Sequence, residues 1–180
     1  MGREAQPALR SPAVDAQHWL GLRPTHNPMR WYLPVTEGIC SGLGSLFGGC
    51  ALGAAIEVME RVTERPVVWA TAQYLNYTTP PSVLDLDLQI GASGRTTTQA
   101  TVTGHVGDTG IVVVNAALGR RDMAEEGQWV SPPAVPPPSE CAPRALHFDP
   151  GNSISTRLEQ LMAIEEPGTG RTAFWTRMPE

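Results

Sequence analysis

Two adjacent glycines, Gly48 and Gly49, open a stretch that otherwise reads as a helix, with Phe47 just before them and no charge until Glu57. Glycine costs about 1 kcal/mol against alanine inside a helix, so the pair needs a reason. Cys50 follows, and a thiol at a helix N-terminus can ionise and act as a nucleophile. A Cys–His site would need an imidazole beside it, and nothing in the sequence brings His105, on a strand, to that place. A small buried cysteine is the expectation. His18, His26 and His147 fall in irregular stretches, and neither they nor Cys40, Cys50 and Cys141 have the spacing of metal ligands, so no metal is expected. Glu57 and Arg61 form an i,i+4 pair on a polar side of the helix, which makes a solvent-facing glutamate the plain reading at 57. In "PVVWATAQYLNY", alternation sends Gln73 and Tyr77 to one face and Tyr74 and Asn76 to the other.

The elements around these residues can be read from pattern. Leu52, Ala55, Met59 and Val62 recur at steps of three and four and give the helix an apolar stripe. Pro66 stops it, so the helix is expected over about 49–64. Arg30 to Val35 is a candidate strand before it. After it, "PVVWATAQYLNY" is rich in β-branched and aromatic residues. "SVLDLDLQI" alternates, with Leu84, Leu86, Leu88 and Ile90 on one face, as in a half-buried antiparallel strand. "GASGR" and "GDTG" then turn the chain between "TTTQATVTGHV" and "IVVVNAAL". This predicts a helix followed by a four-strand meander, an α+β arrangement. The expected organisation is a loose leader over 1–17, a structured unit over 18–130, a proline-rich linker over 131–143 and further strands over 144–180. "GTG" is a candidate hairpin turn in the last part.

Composition narrows the function classes. The chain has 180 residues, 17% of them charged, and a net charge of -5, which suits one mildly acidic globular core. There is no basic block, so no nucleic-acid partner is expected. Residues 39–56 carry no charge and include two GxxxG spacings, but their five glycines and two serines lower the hydrophobicity below that of a membrane span. No membrane association is expected. The N-terminal "MGREAQPALRSPAVDAQ" lacks the apolar core of a signal peptide, and three cysteines read as reduced thiols, so a cytoplasmic location is expected.

The segment "LFGGCALGAAIEVMERVTERPVVWATAQYLNYTTPPSVLDLDLQIGASGRTTTQATVTGHVGDTGIVVVNAALGRR" resembles the first repeat of the double hotdog acyl-CoA thioesterases of type II. The likeness covers about residues 18–121 and rests on the F-G-G helix start and its distance from the strands. "RLEQLMAIEEPGTGRTAFWTRMPE" is similar to the opening strands of a second repeat. The resemblance implies a hotdog fold, an antiparallel sheet wrapped around one long helix. It also implies an acyl-CoA or other acyl-thioester substrate, hydrolysed by water without a cofactor.

In such folds the thioester docks near the helix start. Gly48 and Gly49 would let backbone N–H donors approach its carbonyl, and Phe47 would offer an apolar wall; the plainer alternative is that both glycines only permit close packing. The family pairs an Asp at the second repeat's helix start with a Thr and a Gln on strands. Here the Asp position matches Gly48 or Gly49, the Gln position is nearest Asn115, and the Thr position falls at Ala70 or Thr71. Single-repeat relatives carry an acid two turns into the helix, one residue from Glu57. The catalytic assignments implied are thus Gly49, Asn115 and Glu57, with Phe47, Gly48, Gln73 and Tyr77 in binding roles. A non-catalytic acyl-binding or structural subunit, lacking its own acid, is the other reading. Two repeats pair in this family, so a homodimer or higher even oligomer is expected, with 66–77 at the seam.

Overall fold

The computed structural model describes residues 15–120, 127, 129–131, 133–145 and 151–178. His147 therefore lies outside the described residues, as does most of the expected leader. A short helix, α1 (Ala16–Leu20), begins at Asp15, whose side chain accepts from the Gln17 amide. Strands β1 (Arg23–Pro24) and β2 (Arg30–Val35) follow, then a 3₁₀ turn at Glu37–Ile39. The long helix α2 spans Gly48–Thr63, one residue earlier than pattern predicts at each end. It stops because Glu64 takes a left-handed conformation ahead of the proline at 66.

Four strands come next: β3 (Val67–Tyr74), β4 (Ser82–Ser93), β5 (Thr97–Val106) and β6 (Thr109–Gly119). With β1 and β2 they make one antiparallel sheet in the order β1-β2-β4-β5-β6-β3. The expected meander therefore holds for β4, β5 and β6 only. β3 does not sit beside β4; it pairs with β6 and forms an edge. The reason lies in the connections. β4–β5 and β5–β6 close through tight turns, whereas 75–81 carries the chain past the helix start, where the Leu46 amide donates to the Thr78 carbonyl at 2.9 Å. The vacant side of β4 is taken by β2, whose Trp31, Leu33 and Val35 are buried.

The sheet wraps α2, so more than one stripe of the helix is covered. Cys50, Ala51, Ala54, Ala55, Val58 and Met59 are buried, while Leu52 and Val62 only flank the core. The small residues on the buried face let the sheet come close on both sides. From the sheet, Leu84, Leu86, Leu88, Val102, Val112, Val114 and Leu118 face the helix. Ile90, expected with them, is 38% exposed where the β4–β5 register shifts between Ile90 and Ala92.

The proline-rich segment contributes a 3₁₀ turn (Pro138–Glu140) and a two-residue strand, β7 (Ala142–Pro143). β7 joins β8 (Glu159–Glu166) and β9 (Arg171–Arg177) in a second, three-stranded sheet, with residues 167–170 turning between the last two. This part is tied to the first sheet's unit near residues 36–40. The Ile154 amide donates to the Cys40 carbonyl at 2.8 Å. The Arg157 guanidinium lies 3.9 Å from the Trp19 ring centre and donates to the carbonyls of Trp19 (2.8 Å) and Gly38 (3.3 Å).

Candidate functional site at the helix start and the outer sheet face

Phe47 stands at the N-cap of α2 but has no side chain able to accept from the first amides, and the first turn holds no acidic residue. Its carbonyl accepts from Cys50 (2.9 Å) and Ala51 (3.2 Å). The amides of Gly48 and Gly49 have no acceptor among the described residues. Two backbone donors are thus open at the positive end of a sixteen-residue helix.

The glycine pair has a steric cause. A Cβ on Gly48 would lie 2.9 Å from Cζ of Tyr74, and one on Gly49 would lie 2.6 Å from Cε1 of Phe47. Both rings belong to this chain, so the room left by the missing side chains is filled by aromatics. Tyr74 reaches over the edge of the sheet, and its hydroxyl donates to the Gly48 carbonyl at 2.9 Å. Tyr74 and Phe47 remain half-exposed. Tyr74 was legible only as the face opposite Gln73 and Tyr77; its contact with Gly48 spans 26 positions of chain.

Cys50, next to the pair, is buried, and burial pushes its thiol up to about 11, while the nearby Arg157 pulls the other way. At neutral pH it is protonated, a packing residue and no nucleophile. Glu57 pairs with Arg61, which also reaches Asp15 at 2.8 Å. Gln73 is exposed on β3. Tyr77, expected on the same strand face, lies beyond the strand's end and is 79% exposed. The strand ends early because Asn76 bonds the Gly110 carbonyl through its side chain, and Leu75 and Asn76 share the Ile111 carbonyl.

Asn115 lies on β6 between Val114 and Ala116, whose side chains are buried toward α2; it therefore points to the outer face. Thr71 of β3 and Thr101 of β5 are its direct cross-strand partners. Thr101 Oγ1 donates to Asn115 Oδ1 at 2.8 Å, which turns the amide nitrogen outward and leaves it without a partner among the described residues. A bulge at Val68 fixes this register: Ala70 faces the core and Thr71 faces out. The structure thus brings Thr71, Asn115 and Thr101 together, and separately Phe47, Gly48, Gly49 and Tyr74. The sheet lies between the two groups, and Glu57 joins neither.

A third cluster sits on the outer face of β4 and β5. Asp87 accepts from Arg30 (2.7 Å) and from His105 Nε2 (2.9 Å), and His105 Nδ1 faces the Gly107 carbonyl at 2.8 Å. Both ring nitrogens meet acceptors, so the doubly protonated ring satisfies them best. Accordingly the Asp87 bond raises the pKa of His105, and the Arg30 bond, with His105, holds the Asp87 carboxyl low. Among the described residues no three His, Cys, Asp or Glu side chains gather as metal ligands would, and no helix is long and apolar enough to cross a membrane.

No protein-family model matches this chain, and no curated protein matches it. Solved structures do. A candidate thioesterase from Novosphingobium aromaticivorans DSM 12444 is 31% identical to it, covers 87% of this chain and superposes with a TM-score of 0.78. This chain spans 64% of that protein's length. A conserved protein of unknown function with a hot dog fold, from Alicyclobacillus acidocaldarius, matches 91% of this chain and 62% of its own at a TM-score of 0.76 and 14% identity. The tesB protein of Mycobacterium avium subs paratuberculosis matches 92% of this chain and 61% of its own at 0.71 and 16%. The fold is a hotdog, and the structures it resembles include thioesterases.

Proposed function

We propose that this protein is an acyl-thioester hydrolase of the type II, double hotdog kind, acting on acyl-CoA or a related acyl thioester by water attack. The observation that carries the reading is the 31% identity, over 87% of the chain, to a candidate thioesterase of the same fold. The open amides of Gly48 and Gly49 support it, since they suit a carbonyl oxygen that becomes negative in the tetrahedral intermediate. Phe47 would wall the acyl group, and Tyr74 would have to give way or lend its hydroxyl. On the other face, the outward amide of Asn115, held by Thr101 and flanked by Thr71, would hold the attacking water.

These two half-sites lie on opposite faces of one sheet, so a complete site needs a second hotdog unit to bring an Asn115 face to a Gly49 helix start. The open edge of β3 (Val67–Tyr74) is the seam we assign, with exposed Val68, Trp69 and Tyr74 along it. A homodimer or higher even oligomer would supply it. Three free thiols suit a reducing, cytoplasmic setting.

A specific observation favours a second reading: the first turn of α2 carries no acid, and Glu57 is engaged by Arg61. In that case the protein binds acyl thioesters without cleaving them. Thiol release from a panel of acyl-CoAs, followed at several protein concentrations, tests the proposal. Turnover that rises steeply with association is expected. Saturable binding without turnover at any concentration would leave the binding-subunit reading in its place.

A further inference from the structure

In the proline-rich segment, Pro137 takes φ -66° and ψ 156°, close to the polyproline II conformation. Prolines have no backbone N–H to donate, so such a segment bonds through its carbonyls. The Pro136 carbonyl accepts from the Trp175 indole at 2.9 Å, and the Pro137 carbonyl accepts from the Cys141 thiol at 3.3 Å. Proline-rich ligands dock on aromatic-lined grooves in this conformation. Here the chain holds its own prolines against Trp175 as a strap.

The strap covers only part of the ring, and Trp175 remains 41% exposed. Trp175 and Leu161 are direct cross-strand partners, as are Arg177 and Glu159, so these four side chains share one face of the β8–β9 hairpin. At Pro138 the chain leaves this face through its 3₁₀ turn and pairs as β7 with β8. A groove of about 390 Å³ is left, with Pro138 and Ser139 on one side and Leu161, Trp175 and the Glu159–Arg177 pair on the other. The opposite face of the hairpin differs, because there Arg144 stacks on Phe174 at 4.2 Å and donates to Gln160.

We propose that this groove docks an extended, proline-rich segment of a partner protein, with the chain's own Pro138 as one wall. A proline, an indole ring and a leucine are surfaces on which further proline rings pack, and the strap shows that this indole accepts a polyproline II neighbour. Charge points the same way. Arg177 Nε meets Glu159 Oε2 at 2.6 Å, so the charged end of the groove is neutralised from within and suits an uncharged ligand. A proline segment is preformed, so little chain entropy is lost when it seats. The two cross-strand pairs span roughly 7 Å of strand, room for about two residues of polyproline II at ~3.1 Å each. The groove shares no residue with the helix start or the Asn115 face, so docking there is independent of thioester hydrolysis.

The test is titration of the intact protein with a hexaproline peptide, followed through the Trp175 indole and Leu161 methyl resonances. Saturable shifts of both are expected, with the resonances of α2 unmoved. Trp175→Ala should weaken binding about tenfold or more, as loss of an aromatic anchor does. Pro138→Gly, at an exposed position outside the strands, should weaken it severalfold, and Trp175→Phe should keep most of it. Circular dichroism checks that each variant folds. No saturable shift in the folded protein, or an equal response to a glycine–serine peptide of the same length, would overturn the site. So would affinity unchanged in both Trp175→Ala and Pro138→Gly, or affinity raised in Pro138→Gly, since the ligand would then replace the strap rather than sit beside it. Self-association that hexaproline reverses and Trp175→Ala abolishes would overturn the partner assignment and give the groove to a second copy of the chain.

Discussion

The hydroxyl of Tyr74 donates to the Gly48 carbonyl at 2.9 Å while its ring fills the space a Gly48 side chain would need. The strand edge and the helix start are thus joined by one exposed side chain. Gly48→Ala should push the ring outward rather than unfold the helix, because the colliding atoms are the far end of a half-exposed tyrosine. Tyr74→Phe removes only the donor and should cost about 1 kcal/mol in the parent. In the Gly48→Ala background it should cost almost nothing. Denaturant unfolding of the four proteins measures the cycle, and equal costs in both backgrounds would show that ring and glycine are independent.

Asn115 sits half-buried and is oriented by Thr101. Asn115→Ala should lower thioester turnover by about 100-fold, the lower end of what a water-positioning group contributes. Stability should hardly change, since its side chain points away from the core. Thr101→Val, which frees the amide to rotate, should act in the same direction by a smaller factor, with Thr101→Ser restoring most of the rate. A kcat/KM unaffected by Asn115→Ala would remove the outer face from the mechanism.

Much of this was legible in the sequence, and the limits have physical causes. The alternation of Leu84, Leu86 and Leu88 gave β4 its buried face, and Arg30 to Val35 matched β2 residue for residue. The place of β3 was not legible, because its pairing with β6 is a long-range choice, and 75–81 carries no hairpin signal. The sequence left open which of Ala70 and Thr71 faces outward. That choice turns on a one-residue bulge at Val68, which no periodicity announces. Likewise, the glycine pair could be seen as a demand for space, but its occupants, Tyr74 and Phe47, appear only once the strand is folded onto the helix.

The Arg30–Asp87–His105 cluster makes stability depend on pH at both ends. His105 has a raised folded pKa, so its contribution is complete below the unfolded value near 6.5 and is lost as pH rises through the raised one. Asp87 has a lowered pKa, so its contribution is complete above about 3.8 and is lost as pH falls through the lowered value. His105→Gln should flatten the alkaline slope and also reduce the acid one, which Arg30 alone would then sustain. Proton resonances of the ring, followed across pH, should give a midpoint above that of a free histidine; a midpoint below it would contradict the ion pair.

Arg157 holds the second sheet's segment to α1 and the 3₁₀ turn through two carbonyls and the face of Trp19. Arg157→Ala should cost about 2–3 kcal/mol, the sum of two charged hydrogen bonds and a half-buried stacking contact less what solvent returns. Arg157→Lys should recover little, because an ammonium neither stacks flat nor bridges two acceptors in a plane. Hydrogen exchange should show the loss concentrated in residues 153–158. Uniform loss across the helix and main sheet would mean that the two parts unfold as one.

In the proposed hydrolase the open amides of Gly48 and Gly49 receive the thioester carbonyl. Titrating isotopically labelled protein with a non-hydrolysable acyl-CoA thioether ketone, while following backbone amide resonances, tests it most directly. Saturable shifts of Gly48 and Gly49 larger than those elsewhere on α2 are expected, with Tyr74 moving in step. A folded protein in which both amides stay unshifted at saturating ligand would contradict it.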